Sequence, residues 1–233
     1  MSTPPKQEVL GISLRDEYSF DNYFSGENSL VVHSVKQWIQ RDGNGFLYLC
    51  GPQGSGRSHL LQAACRELEV NDQAFIYLPL AELVNISPAV LDGLEKIDFV
   101  CVDDVNLIAQ NKVWEEALFH LYNRVFDSGG RLLFAASSAP SEINFSIADL
   151  QSRLNAAVRY TLQAASDEDK KQILKMRALN RGFALSDEVL QYIIGRANRE
   201  MSALIDVLEQ IDKSSLESKR KVTVPFVRSV MGW

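Results

Sequence analysis

Eight residues carry the most specific chemistry in the 233-residue chain: Gly51, Pro52, Gln53, Gly54, Ser55, Gly56, Arg57 and Ser58. They match the phosphate-binding pattern G-x-x-x-x-G-K-[ST] at every place except the lysine, which is Arg57. Glycines in this pattern let successive backbone N–H groups curl around phosphate oxygens. The helix that follows adds the positive end of its dipole. Ser58 offers a hydroxyl to Mg2+. Arg57 keeps the charge and can grip phosphate with two nitrogens, but it is bulkier and planar where lysine is a point charge. About fifty residues on, Phe99-Val-Cys-Val ends in Asp103 and Asp104. An acid at the C-terminal end of a buried parallel strand stands at the mouth where ligands bind, so Asp103 is placed to hold Mg2+, directly or through water. Ser137 and Ser138 close another apolar run. Ser137 reads either as a sensor of the terminal phosphate or as part of an ordinary turn before Pro140. Arg153, in Asp149-Leu-Gln-Ser-Arg-Leu154, follows a helical segment and precedes a final strand. Taken alone it reads as a surface ion-pair partner.

These residues need elements to hold them. Phe46–Cys50, Ala74–Leu78, Phe99–Val102 and Arg131–Ala136 are short apolar runs bounded by turns, which predicts buried strands, and Val158–Leu162 is a candidate fifth. Helical spacing predicts helices over about 29–41, capped by Asn28 or Ser29, over 57–69, and over 114–126. Residues 80–94 are helical in parts, broken around Pro88. The stripe Trp114, Leu118, Leu121, Tyr122, Val125 is core, and His59 is expected to pack on the sheet. Strands alternating with helices predict an α/β fold, a parallel sheet with helices on both faces. After about residue 163 only helices follow. One opens with a capping box at Ser166–Asp169 and is stopped by Gly182; others open at Ser186, near residue 200, and at Val222-Thr-Val-Pro-Phe.

Composition narrows the function classes. At ~150 residues per domain the length implies about one and a half domains. Hydrophobic residues make up 46% and charged residues 23%, a soluble globular mix. With 24 basic against 30 acidic residues, the net charge of −6 argues against a broad nucleic-acid surface, though not against a local patch. The short basic runs Lys170-Lys171 and Lys219-Arg-Lys221 read as solvated faces, the second with room for a weak non-specific DNA contact. No apolar run approaches the ~18 residues that span a bilayer. Met1–Leu10 lacks the apolar core of a secretory signal. Cys50, Cys65 and Cys101 read as buried thiols of a reducing cytoplasm. The three histidines have no metal-type spacing.

As a set, these motifs resemble the AAA+ ATPase core of the bacterial initiator DnaA family, and within it the shorter Hda-type regulators. The resemblance rests on Tyr18–Phe24 with Gly26, Gly56-Arg-Ser-His-Leu-Leu61, the Asp103-Asp104 strand end, Trp114-Glu-Glu-Ala-Leu-Phe-His-Leu-Tyr-Asn123, and Ser152-Arg153. Leu162 with Ser166-Asp-Glu-Asp-Lys170 and Val224-Pro-Phe-Val227 complete it, from about residue 5 to the C-terminus. It implies a P-loop NTPase base over 15–163, a small all-helical lid over 164–233, and a flexible tail over 1–14. It implies a nucleotide, ADP or another nucleoside diphosphate or ATP, with Mg2+, lying between base and lid. Phe20, Asn22, Tyr23 and Phe24 would flank its base, and His59 would border the phosphate loop. Asp104 stands where related ATPases carry an acid that polarises the attacking water. The family's lid arginine corresponds to Ser202, with Arg199 almost one turn earlier, and Arg196, as substitutes.

The resemblance also implies a role. Together with the DNA-loaded sliding clamp (the polymerase beta subunit), such a protein promotes hydrolysis of DnaA-bound ATP and so restrains initiation of chromosomal replication. Arg153 would be the arginine finger supplied in trans. Gln7, Leu10 and Ile12 would bind the clamp, with Glu8 where the family usually has leucine. The chain stops at Trp233 without a counterpart of the family's helix-turn-helix reader, so DNA would be reached mainly through the clamp, in the cytoplasm at the nucleoid. A homodimer or higher oligomer is compatible with this. Two rivals stay open. One is an autonomous ATPase such as a helicase loader or remodeller, favoured by Asp103 and Asp104 but opposed by Arg57, which fits at most a weak intrinsic activity. The other is an adaptor that tethers a partner to the clamp without catalytic contribution.

Overall fold

Five short strands rich in aromatic and branched residues form one sheet: β1 (Phe46–Cys50), β2 (Phe75–Pro79), β3 (Phe99–Asp103), β4 (Arg131–Ala136) and β5 (Val158–Thr161). Their order is β2-β3-β4-β1-β5, and every neighbouring pair is parallel. The computed structural model describes residues 14–15, 18–41 and 45–233. The chain divides into two units, one ending at Gln163 and one spanning Ala164–Trp233. β2, β3 and β4 are buried along their length, as unbroken apolar runs require. β5 is an exposed edge strand, and Arg159 on it discourages further pairing.

Among the described residues of the first unit are five α-helices: α1 (Ser29–Ile39), α2 (Arg57–Val70), α3 (Leu80–Leu83), α4 (Lys112–Ser128) and α5 (Ala148–Ala156). Side chains alternate across each strand, so the sheet feeds two cores. Leu47, Leu49, Phe99, Cys101, Leu133 and Ala135 pack on α1 and α2, around Val35, Trp38, Leu61 and Cys65. Tyr48, Val100, Val102, Leu132 and Phe134 pack on α4 and α5, and the stripe Trp114, Leu118, Leu121, Tyr122, Val125 is buried there. The three cysteines are buried free thiols.

The stretch after β2 is helical in parts and broken near Pro88, as expected, while two other local expectations need correction. The stretch after β2 keeps only one α-turn, α3, followed by 3-10 turns at Pro88–Leu91 and Leu94–Lys96. Pro88 supplies the break, with Ser87 capping it. Asn28 does not cap α1 with its side chain. Its amide instead closes a two-way bond with the Gln163 backbone, donating from Nδ2 at 3.2 Å and accepting at Oδ1 from the Gln163 N–H at 2.8 Å. Arg153 lies inside α5 rather than after a helical segment.

The second unit is helical: α6 (Asp167–Asn180), α7 (Asp187–Arg196), α8 (Met201–Ser218) and α9 (Val224–Met231). Its core is built from Leu174, Ala178, Leu190, Ile193, Leu204, Leu208, Ile211 and Val227. The capping box uses Asp in place of Glu. Ser166 Oγ accepts from the Asp169 N–H at 3.1 Å, and Asp169 Oδ2 takes the Ser166 N–H at 2.9 Å. Ser186 and Thr223 cap α7 and α9 one-sidedly, each accepting from a backbone N–H without a return bond. Lys170 and Lys171 pair with Asp167 and Glu168 one turn back along α6.

Glu115, on α4, is fully buried. Its carboxylate accepts three backbone N–H groups, Gln110 at 2.7 Å, Ser146 at 3.1 Å and Ile147 at 2.8 Å. It therefore ties the segment after β3 to the loop that enters α5. Glu115→Ala orphans three amides at once and is expected to destabilise the first unit by about 3 kcal/mol, read as a lowered urea midpoint. Glu115→Gln, which retains one oxygen, is expected to lose about half of that.

Candidate functional site

The phosphate-type loop joins β1 to α2. Gly54 and Gly56 both take positive φ, 76° and 90°, and Gly56 is the N-cap of α2. Gly56 is required twice over, since a Cβ there would also lie 2.8 Å from the Tyr23 ring. At Gly51 a Cβ would meet Leu162 O at 2.7 Å. The N-terminal aromatic segment and the end of the sheet therefore press on the loop from two sides. Ser55 is 5% exposed, and its Oγ is buried without a hydrogen-bond partner. Arg57 Nη1 is buried and unpartnered in the same way. Orphaned buried polar atoms are costly unless something meets them. A glycine-shaped cradle with a hydroxyl and a guanidinium edge left unpaired suits an oxyanion.

β3 delivers the acids. Asp103 is 1% exposed, and its donors are all neutral: Tyr77 Oη at 2.9 Å, the Asp104 N–H at 3.0 Å, and the Ser58 hydroxyl. Burial pushes its carboxyl above the usual carboxylate range, and the charge of Asp104 adds to this. Tyr77 in turn accepts from Gln62 Nε2 at 3.2 Å. Asp104 sits in the left-handed region, φ 55° and ψ 43°, and its Oδ1 lies 3.8 Å from Arg57 Nη2. Among the described residues no three His, Cys, Asp or Glu side chains gather as a metal cage. Ser58 and Asp103 form a two-oxygen site of the kind Mg2+ uses when phosphates and water complete its shell. These residues fit a nucleoside phosphate with Mg2+.

The other expected residues are distributed as follows. Tyr23 leans over Gly56, reaches Ser55 O with its hydroxyl at 3.5 Å, and is pushed up to about 12 by burial. Phe20 packs on the α1–α2 core with Lys36 Nζ 4.9 Å from its ring centre. Asn22 closes a turn onto Ser19, and Phe24 is half-buried. His59 does not pack on the sheet. Its ring stacks on Tyr18 at 4.6 Å and meets Tyr23 edge-on at 5.2 Å, and its Nε2 lies 2.9 Å from Ser19 O, so the N-terminal aromatic segment engages it. Ser137, at the end of β4, donates its N–H to Asn106 Oδ1 at 2.8 Å. Pro52 and Gln53 are exposed at the loop tip. Arg153 is exposed on α5, its guanidinium 5.8 Å from the Tyr122 ring centre. Arg199 and Ser202 belong to the second unit and are exposed there, Arg199 pairing with Asp167 at 3.4 Å. Gln7, Leu10 and Ile12 lie outside the described residues. Motif reading did not find Tyr77, Gln62 or Asn106, and it marked Asn28 only as a helix cap. Only Tyr77 left a signal, since strand alternation puts it on the same sheet face as Asp103.

The family model of the bacterial DnaA ATPase domain matches residues 14–161, and that of the Hda lid domain matches residues 167–231. The chain belongs to the DnaA family. Solved structures agree on the fold. Domain III of the Thermotoga maritima replication initiation protein DnaA superposes with a TM-score of 0.81 at 19% identity, covering 95% of this chain and 98% of that one. AMPPCP-bound DnaA from Aquifex aeolicus gives 0.72 at 21% identity, over 89% and 70% of the two chains. The Thermotoga maritima RuvB Holliday junction branch migration motor gives 0.69 at 18%, over 92% and 71%. The fold is thus that of the AAA+ proteins, with the parallel sheet and helical lid that DnaA-family members carry. No described helix is long and apolar enough to cross a membrane.

The Asp103 carboxyl supplies a pH test of the DnaA-family site. An acid whose folded pKa is raised loses stability as pH climbs from its unfolded value, 3.8, through the folded one. Asp103→Asn removes that loss, its Oδ1 still accepting from the Asp104 N–H and its Nδ2 donating to Tyr77 Oη. The variant should show a higher urea midpoint than the wild type at pH 7. The gap should close as pH falls to about 3.8.

Proposed function

We propose that this protein is an Hda-like regulator: it binds a nucleoside diphosphate, and on the DNA-loaded sliding clamp it promotes hydrolysis of ATP held by DnaA. Family membership and the lid match support the setting. The observation that carries the reading is Arg153. It is exposed on α5, forms no ion pair among the described residues, and is oriented by the face of Tyr122. A π-face steadies a guanidinium without cancelling its charge, which leaves Arg153 able to meet phosphate on another molecule.

In this reading the chain's own nucleotide is structural. Its phosphates are received by the N–H groups of residues 54–58, the Ser55 hydroxyl and Arg57, with Mg2+ at Ser58 and Asp103. Bound there, a Mg–nucleotide supplies the anion and cation that these groups otherwise lack. Tyr23 closes over the loop, and Phe20, Asn22 and Phe24 border the base. Gln7, Leu10 and Ile12 engage the clamp. Arg153 then enters the DnaA site, where it offsets charge developing on the transferred phosphoryl group. The role is cytoplasmic and brings the protein to the nucleoid through the clamp.

The experiment mixes the protein with DnaA–ATP, loaded clamp and DNA, and follows ATP loss. Acceleration over DnaA alone is expected, and Arg153→Ala should reduce the stimulated rate on the order of 10³-fold. Absence of any acceleration overturns the reading. Stimulation that survives Arg153→Ala with clamp binding intact makes the protein an adaptor. Rapid ATP turnover by the protein alone makes it an autonomous ATPase.

A further inference from the structure

Arg57 is the one departure of the loop from its pattern, and its guanidinium is already half committed. Nη2 stands 3.8 Å from Asp104 Oδ1, with the two side chains 11% and 31% exposed. Nη1 is buried with no partner among the described residues. A guanidinium presents separate edges, so it can hold two anions at once, whereas an ammonium is a single point of charge. One edge of Arg57 therefore faces a carboxylate while the other awaits an anion. The carboxylate is positioned by the backbone. Asp104 is left-handed, and its N–H is fixed to Asp103 Oδ1 at 3.0 Å.

A third phosphate would bring more negative charge to a mouth where two acids already stand side by side. Drawn to Arg57, it would meet the Asp104 carboxylate 3.8 Å from Nη2, and like charges crowding one site disfavour each other. We propose that Asp104 is a competing anion for Arg57, and that residue 104 thereby sets the site's discrimination between nucleoside diphosphates and triphosphates, in favour of the diphosphate. The inference rests on the nucleotide-binding reading above.

The test is calorimetric binding of ADP and of the non-hydrolysable triphosphate AMPPCP, each with Mg2+, to the full chain. Asp104→Asn removes the charge, and asparagine tolerates the left-handed backbone. Wild-type protein is expected to favour ADP. Asp104→Asn should move the ratio of dissociation constants about tenfold toward the triphosphate. Arg57→Gln should weaken both nucleotides, and on that background Asp104→Asn should change the ratio by less than about twofold. If Asp104→Asn does not fold, Asp104→Gly, unstrained at this φ, carries the same comparison. An unchanged ratio overturns the proposal. An equal shift on both backgrounds also overturns it, since Asp104 would then repel the third phosphate without acting through Arg57. Wild-type protein that binds neither nucleotide overturns the nucleotide reading itself, and this inference with it.

Discussion

A nearly fully buried carboxyl group, Asp103, meets only neutral donors among the described residues, and β2, β3 and α2 converge on it to supply them. The direction of its hydrogen bonds is set from a distance. The Arg15 N–H donates to Gln62 Oε1 at 2.9 Å, which leaves the Gln62 amide nitrogen to donate to Tyr77 Oη at 3.2 Å. Tyr77 accepts there and so donates its proton to Asp103 at 2.9 Å. A backbone amide near the N-terminus thus fixes a hydroxyl on β2 and an acid on β3. Ser58, the first-turn hydroxyl of α2, completes the set and brings the phosphate loop to the same point. Ser58 and Gln62 lie four apart on α2, so one helical face serves both the acid and its supporting tyrosine.

The loop is shaped by two segments that are remote from it in sequence. Tyr23 presses on Gly56, and the end of β5 presses on Gly51 through Leu162. Asn28 then binds the Gln163 backbone in both directions, tying the N-terminal segment to the exit of the sheet. A larger residue at either glycine would push against elements that are themselves pinned. That explains why the loop can leave Ser55 Oγ and Arg57 Nη1 unpaired: its shape is imposed from outside and does not relax to satisfy them.

What the sequence revealed follows from the range of the interactions involved. Strand and helix identities depend on local periodicity, and the runs Phe46–Cys50 and Arg131–Ala136 have the observed bounds. The Ser166–Asp169 box was legible because both partners lie within one turn. Glu115, Asn28 and Asn106 were not, because each bonds a backbone group about thirty or more residues away, and nothing in their own neighbourhoods announces it. His59 misled for a related reason. Its place after Ser58 suggests the sheet, but Tyr18 offers a stacking partner from another part of the chain.

The two arginines show how surroundings divide labour among identical side chains. Arg57 is 11% exposed and shares its charge with Asp104 at 3.8 Å, so its reach is confined to the loop. Arg153 is exposed and rests on the ring of Tyr122. The helix beneath it is entered through the loop that Glu115 pins by two backbone amides, Ser146 and Ile147. An arginine that acts on another molecule must keep its full charge and yet not wander. A carboxylate partner would steady it at the cost of charge, and bare solvent would preserve charge at the cost of order. An aromatic face on α4, set against a helix whose entry loop a buried acid of α4 holds, meets both demands. On the proposed function, Glu115 therefore belongs to the same device as Arg153, although it touches no phosphate.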